Sequence, residues 1–315
     1  MNKIIEYPLV SIIVNCYNGE RFLKIALESL SIQTYVNFEV LFVDNCSQDR
    51  SASIYKDFSL RDDRFRYLLL RNNLCLGAAR KIAVEQTSGD FIAFLDVDDI
   101  WHKDKLQIQI DSLIRTQSNL AYANVEIINE FGCKIGRSKG RRVKDDLKSN
   151  LLRYRINLAT LIIQRDVLVR NSLNFDENIE ASEEYCLVMQ LLARGAKVNF
   201  IDTPLSSYRV LDNSLTVKKI DSWCIDRRYT LSKIEKELPT LRLKYGYYLD
   251  YSWSVSDYYE VLYFLSIGED QNARNVISNN SSNFMFILFI KCMLHPILIN
   301  FYKKLLNWKY GRRLF

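Results

Sequence analysis

The fold is indicated most clearly by the stretch Phe91-Ile92-Ala93-Phe94-Leu95-Asp96-Val97-Asp98-Asp99-Ile100-Trp101. Its apolar half is short, rich in aromatic residues and preceded by Gly89, which predicts a buried strand. Acids then occupy three of four positions. In open α/β sheets, the carboxyl ends of the strands are where ligands bind. The stretch therefore predicts an α/β fold with a polar site at the end of this strand.

Three neighbouring acids also restrict the chemistry of that site. Like charges this close repel, and burying them is unfavourable unless a positive charge neutralises them. Carboxylate oxygens suit Mg²⁺ or Mn²⁺, which proteins hold through one or two carboxylates together with substrate phosphates. The acids predict either a divalent-cation site or a solvated acidic turn that caps the following helix.

The composition is that of a globular protein with reduced thiols. The chain has 315 residues, of which 48% are hydrophobic, enough for one large domain or two moderate ones. Its seven cysteines are scattered and show no C-x-x-C spacing. This pattern favours a cytosolic protein over a disulfide framework or a zinc site. The residues from Met1 to Val10 do not resemble a secretory signal.

The positive charge is concentrated at the end of the chain. The formal net charge is +6, and residues 284–315 contain six basic residues and no acid. The rest of the chain has equal numbers of acidic and basic residues, which argues against a nucleic-acid-binding surface. The apolar run 284–301 is interrupted by Lys291 and Pro296, so it is too short to span a membrane. We expect an amphipathic helix on an anionic membrane surface, or a helix packed on the body or in a dimer interface.

The first two-thirds of the sequence alternate between strand and helix signals, which is typical of a parallel sheet covered by helices. Beyond about residue 217 the strand signals fade and the sequence predicts helices. We therefore predict two regions, 1–217 and 218–315. The predicted strands are Leu9–Cys16, Phe38–Val43, Phe65–Leu70, Phe91–Leu95, Leu120–Ile128, Leu158–Ile163 and Lys197–Ile201, and the clearest predicted helices are Ala78–Gln86, Lys103–Thr116 and Glu183–Ala193.

Polar residues follow four successive predicted strands. Asn15 lies at the end of the first strand, Asp44 follows the second and Asp96 the fourth, and the third is followed by the segment from Asn73 to Arg80. Carboxyl ends of parallel strands meet at one edge of a sheet, so these residues are expected to converge. The absence of G-x-G-x-x-G after the first strand excludes a dinucleotide-binding dehydrogenase.

This ordered set of motifs resembles the inverting glycosyltransferases of family 2, which have the nucleotide-sugar-binding GT-A fold. The resemblance covers roughly residues 8–216. It rests on Val10–Asn18, Val43–Asp49, Asn73–Arg80, Phe94–Trp101, Glu183–Leu187 and Pro204–Arg209. It implies a GT-A domain with a mostly parallel sheet and, here, a helical C-terminal extension.

The resemblance implies a role for each residue around the nucleotide. Asp44 would accept a hydrogen bond from the base, although it could instead form an Asx-type turn. Asn15 and Tyr17 would border the base, with Tyr17 either stacking on it or packing in the core. Asn73 and Arg80 would contact the nucleotide, although Arg80 is equally compatible with a surface helix position.

The resemblance also implies how the diphosphate is held. Asp96 would lie near the ribose, and Asp98 would bind the metal that bridges the diphosphate. Asp99 is expected to be an N-terminal acid of the next helix. Arg209 would be the side-chain cation for the diphosphate, and Trp101 would form an acceptor-side wall or simply be packed.

The expected general base is Glu184, which has Glu183 directly before it. A sugar hydroxyl is a poor nucleophile at neutral pH and needs a carboxylate to accept its proton. Related enzymes carry Asp at this position, so Glu is a departure from the pattern. Further departures are Lys81, where Asn is common, and Leu211, where His is common.

The expected function is metal-dependent transfer of a sugar from a nucleoside-diphosphate sugar to a saccharide acceptor, with inversion, in polysaccharide biosynthesis. We expect a lipid-linked acceptor and an enzyme located in the cytoplasm on the inner face of the cell membrane. The departures at Glu184 and Leu211 leave one alternative, a non-catalytic nucleotide-sugar- or glycan-binding scaffold that keeps the fold.

Overall fold

A computed structural model describes residues 7–138, 140, 146–211 and 220–279. The predicted membrane-associating tail, 284–315, lies outside these residues. The strands are β1 Val10–Cys16, β2 Phe38–Asp44, β3 Phe65–Leu69, β4 Phe91–Asp96, β5 Ile100–Trp101, β6 Leu120–Ile128, β7 Lys134–Arg137, β8 Ile162–Gln164 and β9 Val198–Arg209. The α-helices are α1 Leu23–Ser31, α2 Ser51–Ser59, α3 Leu76–Glu85, α4 Lys105–Thr116, α5 Asp146–Leu152, α6 Arg165–Arg170, α7 Glu183–Ala193, α8 Ile220–Glu237, α9 Leu241–Ser266 and α10 Asp270–Asn279.

One half of the sheet is a parallel block in the order β3-β2-β1-β4. Every residue of β1 is buried, as expected for a central parallel strand with both faces covered. In β3 only Phe65 is fully buried, which fits its place at the edge of the sheet. Successive strands are joined through α1, α2 and α3, so the predicted α/β alternation is confirmed.

The other half of the sheet is mixed. β4 pairs antiparallel with β8, β8 antiparallel with β6, and β6 parallel with β9. β9 also pairs antiparallel with the two-residue strand β5, and β7 forms a hairpin with β6. This connectivity brings Arg209, the last residue of β9, next to the segment between β4 and β5.

Two predicted strands differ from those observed. Residues 158–160 form a 3-10 turn because the Asn157 side chain accepts a hydrogen bond from the Ala159 backbone N–H, and only Ile162–Gln164 is a strand. The strand predicted over Lys197–Ile201 continues to Arg209. A register shift between Ala123 and Val125 of β6 accommodates Pro204, which has no N–H to donate.

The described residues form two compact units. The first comprises those of Met1–Asp146, Arg155–Asn178 and Arg194–Val210, and contains the whole sheet. The second comprises those of Leu147–Tyr154, Ile179–Ala193 and Leu211–Phe315. It is helical and includes α7 as well as the predicted C-terminal helices. Within the described chain, no helix has the length and hydropathy needed to span a membrane.

Lys105, the first residue of α4, is fully buried in the first unit. Its Nζ lies 3.7 Å from the ring centroid of Trp101 and has no hydrogen-bond partner among the described residues. Burial lowers the pKa of Lys105 well below its usual value. Trp101 is itself buried in the core, which favours the packed position considered for it over the acceptor-side wall.

Replacing Lys105 with methionine is expected to increase the free energy of unfolding by about 1–3 kcal/mol near neutral pH. Methionine keeps most of the side-chain volume and removes the buried amine. The desolvation cost that disappears with the amine is larger than the energy of its lost contact with Trp101. Since only the unfolded state readily binds this proton, the advantage of the variant should grow as pH falls from about 10. Urea denaturation at several pH values measures it. Lys103→Met removes an exposed lysine nearby and serves as the control; a variant at Lys105 less stable than wild type would contradict the argument.

Candidate active site

Strand register places three predicted residues side by side at one edge of the sheet. Asn15 of β1 is opposite Asp96 of β4, and the next residue, Cys16, is opposite Asp44 of β2. These strands are parallel, so all three positions lie at their carboxyl ends. The predicted convergence of the strand ends is therefore observed.

The loop after β1 is tied to the loop after β2 by backbone donors. The N–H groups of residues 18, 19 and 20 donate to Ser47 Oγ at 3.1 Å, Ser51 Oγ at 2.9 Å and Asp49 Oδ2 at 2.9 Å. The polar residues of this motif thus fix the loop that follows Tyr17. The side chain of Tyr17 is 51% exposed, which excludes the core position considered for it.

The side chain of Asp44 is buried and doubly hydrogen-bonded. Its Oδ1 accepts from the Ser47 backbone N–H at 2.8 Å, and its Oδ2 accepts from the Tyr67 hydroxyl at 2.7 Å. The first bond is the Asx-type turn anticipated from the sequence. Since each carboxylate oxygen can accept more than one hydrogen bond, the turn leaves acceptor capacity for a ligand.

The side chain of Asn45 connects the end of β2 to the segment before α3. Asn45 Nδ2 donates to Asn73 Oδ1 at 3.0 Å and to the Leu74 carbonyl at 2.8 Å, and Asn45 Oδ1 accepts from the Leu74 N–H. Asn73 is thereby held beside Asp44. Asn15 Nδ2 is buried and lacks a hydrogen-bond partner among the described residues, so it has an unused donor.

Arg80 of α3 pairs with the carboxylate at the end of β4. Its Nη2 donates to Asp96 Oδ1 at 2.7 Å, and its side chain is only 2% exposed. The surface position considered for Arg80 is therefore wrong. A small residue, Gly77, precedes it by one turn, and the guanidinium is directed inward to compensate the charge of Asp96. Helical periodicity did not indicate this, because a buried arginine depends on a partner far along the chain.

The carboxylate of Asp98 carries a charge that is poorly compensated. Burial and the neighbouring Asp96 raise the pKa of Asp98 to about 6. Among the described residues, none forms an ion pair with this carboxylate. A divalent cation would relieve that unfavourable charge. The described chain contains no group of three or more acidic, His or Cys side chains that could hold a metal, so a metal here would depend on substrate phosphates, as Mg²⁺ commonly does.

Asp99 does not begin a helix, which corrects the expectation for it. β5 follows Asp99 and pairs with β9, and α4 begins only at Lys105. Asp99 is buried, and its Oδ1 accepts from the Arg209 backbone N–H at 2.9 Å. Burial, with the nearby charges of Asp98 and Asp96, raises its pKa. Its function in the fold is to anchor the end of β9.

Arg209 links three parts of the site. Its Nε donates to the Asp98 carbonyl at 2.9 Å, and its Nη1 donates to the carbonyls of Asn129 and Glu130, each at 3.1 Å. Its guanidinium also lies 4.4 Å from the ring centroid of Phe22. The turn between β6 and β7 is thus attached to the Asp98 segment, a contact that the sequence did not reveal.

The two glutamates considered as the base open α7 in the second unit. Glu183 is buried and Glu184 is half-buried, and both lie in the first turn of the helix. Negative charge in a first turn is favoured by the helix dipole. The difference in exposure between the two carboxylates favours Glu184 as the group available to a ligand.

Comparison with known proteins relates this geometry to a family. The model of glycosyl transferase family 2 matches residues 11–170, about half of the chain. WfgD of Escherichia coli, named UDP-Glc:alpha-D-GlcNAc-diphosphoundecaprenol beta-1,3-glucosyltransferase, is 32% identical over 241 residues, 75% of this chain and 90% of that protein. TuaG of Bacillus subtilis, whose name assigns it to teichuronic acid biosynthesis, is 26% identical over 215 residues, 67% of this chain and 83% of that protein.

Solved structures establish the fold. S. aureus TarS 1–349 in complex with UDP aligns with a TM-score of 0.55 at 19% identity, covering 85% of this chain and 89% of that chain. The mannosyltransferase PcManGT from Pyrobaculum calidifontis, in complex with GDP-Man and Mn²⁺, aligns with a TM-score of 0.61 at 12% identity, covering 95% and 84%. The fold is GT-A, as the sequence motifs predicted. The match to the family model and the identity to WfgD show that the chain belongs to glycosyl transferase family 2 and is a glycosyltransferase.

Proposed function

We propose that this glycosyltransferase moves a sugar from a nucleoside-diphosphate sugar to a hydroxyl group of a saccharide acceptor, with Mn²⁺ or Mg²⁺ and with inversion at the anomeric carbon. The observation that carries the proposal is the group formed by Asp96, Asp98, Arg80 and Arg209 at the carboxyl end of the parallel strands. Ligands of open α/β sheets bind at this edge. The UDP bound to TarS and the GDP-Man bound to PcManGT support a nucleotide-sugar donor.

The nucleoside is assigned to the ends of β1 and β2. Asp44 would accept a hydrogen bond from a base N–H group, which would select uracil, thymine or guanine. The exposed ring of Tyr17 would stack on the base, and the unused Nδ2 donor of Asn15 would hydrogen-bond to it. Asn73, fixed by Asn45, would complete this wall, and Asp96, oriented by Arg80, would hydrogen-bond to the ribose.

The diphosphate is assigned to Asp98 and Arg209. Asp98 would hold the divalent cation, which when bound supplies positive charge to the diphosphate leaving group. Arg209 orients the Asp98 segment through the backbone carbonyl and contributes a further positive charge. These residues would bind and orient the leaving group.

Glu184 is assigned as the general base. It would accept the proton of the acceptor hydroxyl as the new bond forms between that oxygen and the anomeric carbon. The bond from this carbon to the diphosphate oxygen breaks at the same time, and its electron pair leaves with the diphosphate. Attack opposite the leaving group inverts the anomeric carbon. Glu183 is less suited to this step because its side chain is buried.

The acceptor is proposed to be a lipid-linked saccharide used in polysaccharide biosynthesis. The name of WfgD includes a diphosphoundecaprenol acceptor, and that of TuaG refers to teichuronic acid biosynthesis. The six basic residues of 284–315 would hold the enzyme on the inner face of the cell membrane. If so, the full chain should pellet with anionic liposomes, and a chain ending at Asn283 should not; equal binding by the two would contradict this location.

The proposed reaction is tested by measuring nucleoside diphosphate release. UDP-, GDP- and dTDP-sugars are incubated with Mn²⁺ and a synthetic GlcNAc-diphosphoryl lipid, the acceptor class named for WfgD. We expect one donor to release its diphosphate in step with the appearance of an extended lipid product. The absence of release from every donor, with or without acceptor, would contradict the proposal.

A further inference from the structure

The segment that leads into α7 is held by one buried carboxylate. In the second unit, Asp226 of α8 accepts hydrogen bonds on Oδ2 from the backbone N–H groups of Ala181 at 2.8 Å and Ser182 at 3.1 Å. The Ser182 hydroxyl donates to the same oxygen at 3.2 Å, and the Glu180 N–H lies 3.4 Å from Oδ1. Asp226 is buried, with a side chain only 3% exposed.

One of these bonds, from the Ser182 N–H, lies at the boundary of the helix. The first backbone N–H groups of a helix have no partner within it and need an acceptor from elsewhere. Such an acceptor is usually the side chain of a nearby residue in the sequence, placed just before the helix. Ser182 directly precedes α7, and its N–H donates to a carboxylate more than 40 residues later, so the segment that enters α7 is fixed to α8.

The next residue of α8 holds the other side of the same turn. The guanidinium of Arg227 lies 4.8 Å from the ring centroid of Tyr185, which follows Glu184. Arg227 also donates to Ser252 of α9, at 2.7 Å to the hydroxyl and 3.3 Å to the carbonyl. Asp226 and Arg227 therefore fix the backbone directly before Glu183 and the ring directly after Glu184.

We infer that Asp226 is a positioning residue for Glu184. The inference rests on the proposed function, in which Glu184 accepts the proton of the acceptor hydroxyl. A displacement of about 1 Å in a reacting group can reduce turnover by about 10²-fold. A charge-assisted network of four hydrogen bonds on residues 180–182 is suited to prevent such a displacement. Asp226 does not itself touch the substrate in this account.

The test compares variants that separate an effect on the position of Glu184 from an effect on donor binding. Asp226→Ala removes every acceptor, whereas Asp226→Asn keeps one oxygen that can accept from Ala181 and Ser182. We expect kcat for diphosphate release from the active donor to fall by about 10²-fold in the alanine variant and by less than about tenfold in the asparagine variant. The KM for the donor and the Kd for its nucleoside diphosphate with Mn²⁺ should stay within about twofold of wild type, because the assigned donor residues belong to the first unit.

Asp257→Ala is the matched control. Asp257 is a partly buried carboxylate of the same helical unit, and it pairs with Arg228 at 2.6 Å. Its removal should cost stability and leave kcat near that of wild type. Thermal unfolding of all three variants reports the loss of stability separately from turnover.

Each outcome decides the inference. A fall in kcat with unchanged donor binding, partly restored by Asp226→Asn, supports it. Unchanged kcat in Asp226→Ala, or an equal loss in the Asp257→Ala control, overturns it. A parallel loss of kcat, donor binding and stability also overturns it, since that is the signature of general unfolding. If Glu184→Gln keeps full turnover, Glu184 is not the general base, and it is the proposed function that fails. Glu184→Gln therefore distinguishes a failure of the proposed function from a failure of the inference about Asp226.

Discussion

Asp98→Ala is expected to reduce turnover by about 10²-fold to 10³-fold, the range found when one group that stabilises developing charge is removed. The carboxylate of Asp98 is partly buried, lacks an ion-pair partner among the described residues, and is the assigned ligand of the metal at the diphosphate. Without it, the charge on the leaving diphosphate is less well stabilised. The rate of diphosphate release at saturating donor and Mn²⁺ measures the effect.

The control for this prediction removes an aspartate elsewhere in the same unit. Asp57 lies on α2 with an exposed side chain. Asp57→Ala should leave both the rate and its metal dependence unchanged. If Asp98→Ala keeps a rate within a few fold of wild type, the metal site must be formed by other residues.

Glu184→Gln is expected to lower kcat by about 10²-fold to 10⁴-fold, the contribution typical of a positioned general base. Glutamine preserves the size of the side chain and one acceptor oxygen but cannot accept a proton at neutral pH. The Kd for the nucleoside diphosphate should not change, because the base acts on the acceptor hydroxyl. Steady-state rates combined with calorimetry separate these two quantities.

Glu183→Gln is the matched variant for the neighbouring position. Its side chain is buried, so we expect a loss of stability and a kcat within about tenfold of wild type, below the range typical of a general base. A large loss of kcat in Glu183→Gln with normal rates in Glu184→Gln would reverse the assignment of the base. If both variants have normal rates, the general base is not a residue of the first turn of α7.

The strand ends of this fold are predictable because they are local features. The buried strand over Phe91–Leu95 and the acids after it occupy one continuous stretch, and so do β1 with Asn15 and β2 with Asp44. Parallel pairing then brings these ends together without further information. The order of the motifs, combined with this geometry, was sufficient to predict both the fold and the family.

The contacts that shape the site depend on partners distant in sequence. Arg80 turned out to be buried because Asp96 compensates its charge, and Asp99 anchors β9 because the short strand β5 delays the helix. Neither of these contacts follows from hydrophobic periodicity, which shows only which face of a single helix or strand is buried. Asp226 is a stronger example, since its partners lie more than 40 residues earlier. The helical sequence around it contains no motif that marks the residue.

A calorimetric titration of UDP, GDP and dTDP into the full chain, with and without Mn²⁺, tests the central claim most directly. The account predicts that one diphosphate binds, that Mn²⁺ strengthens the binding by about tenfold or more, and that Asp98→Ala abolishes this increase. Binding of none of the three, or binding that is equal with and without Mn²⁺ and unaffected by Asp98→Ala, would contradict a metal-assisted nucleotide-sugar site at the ends of β1, β2 and β4.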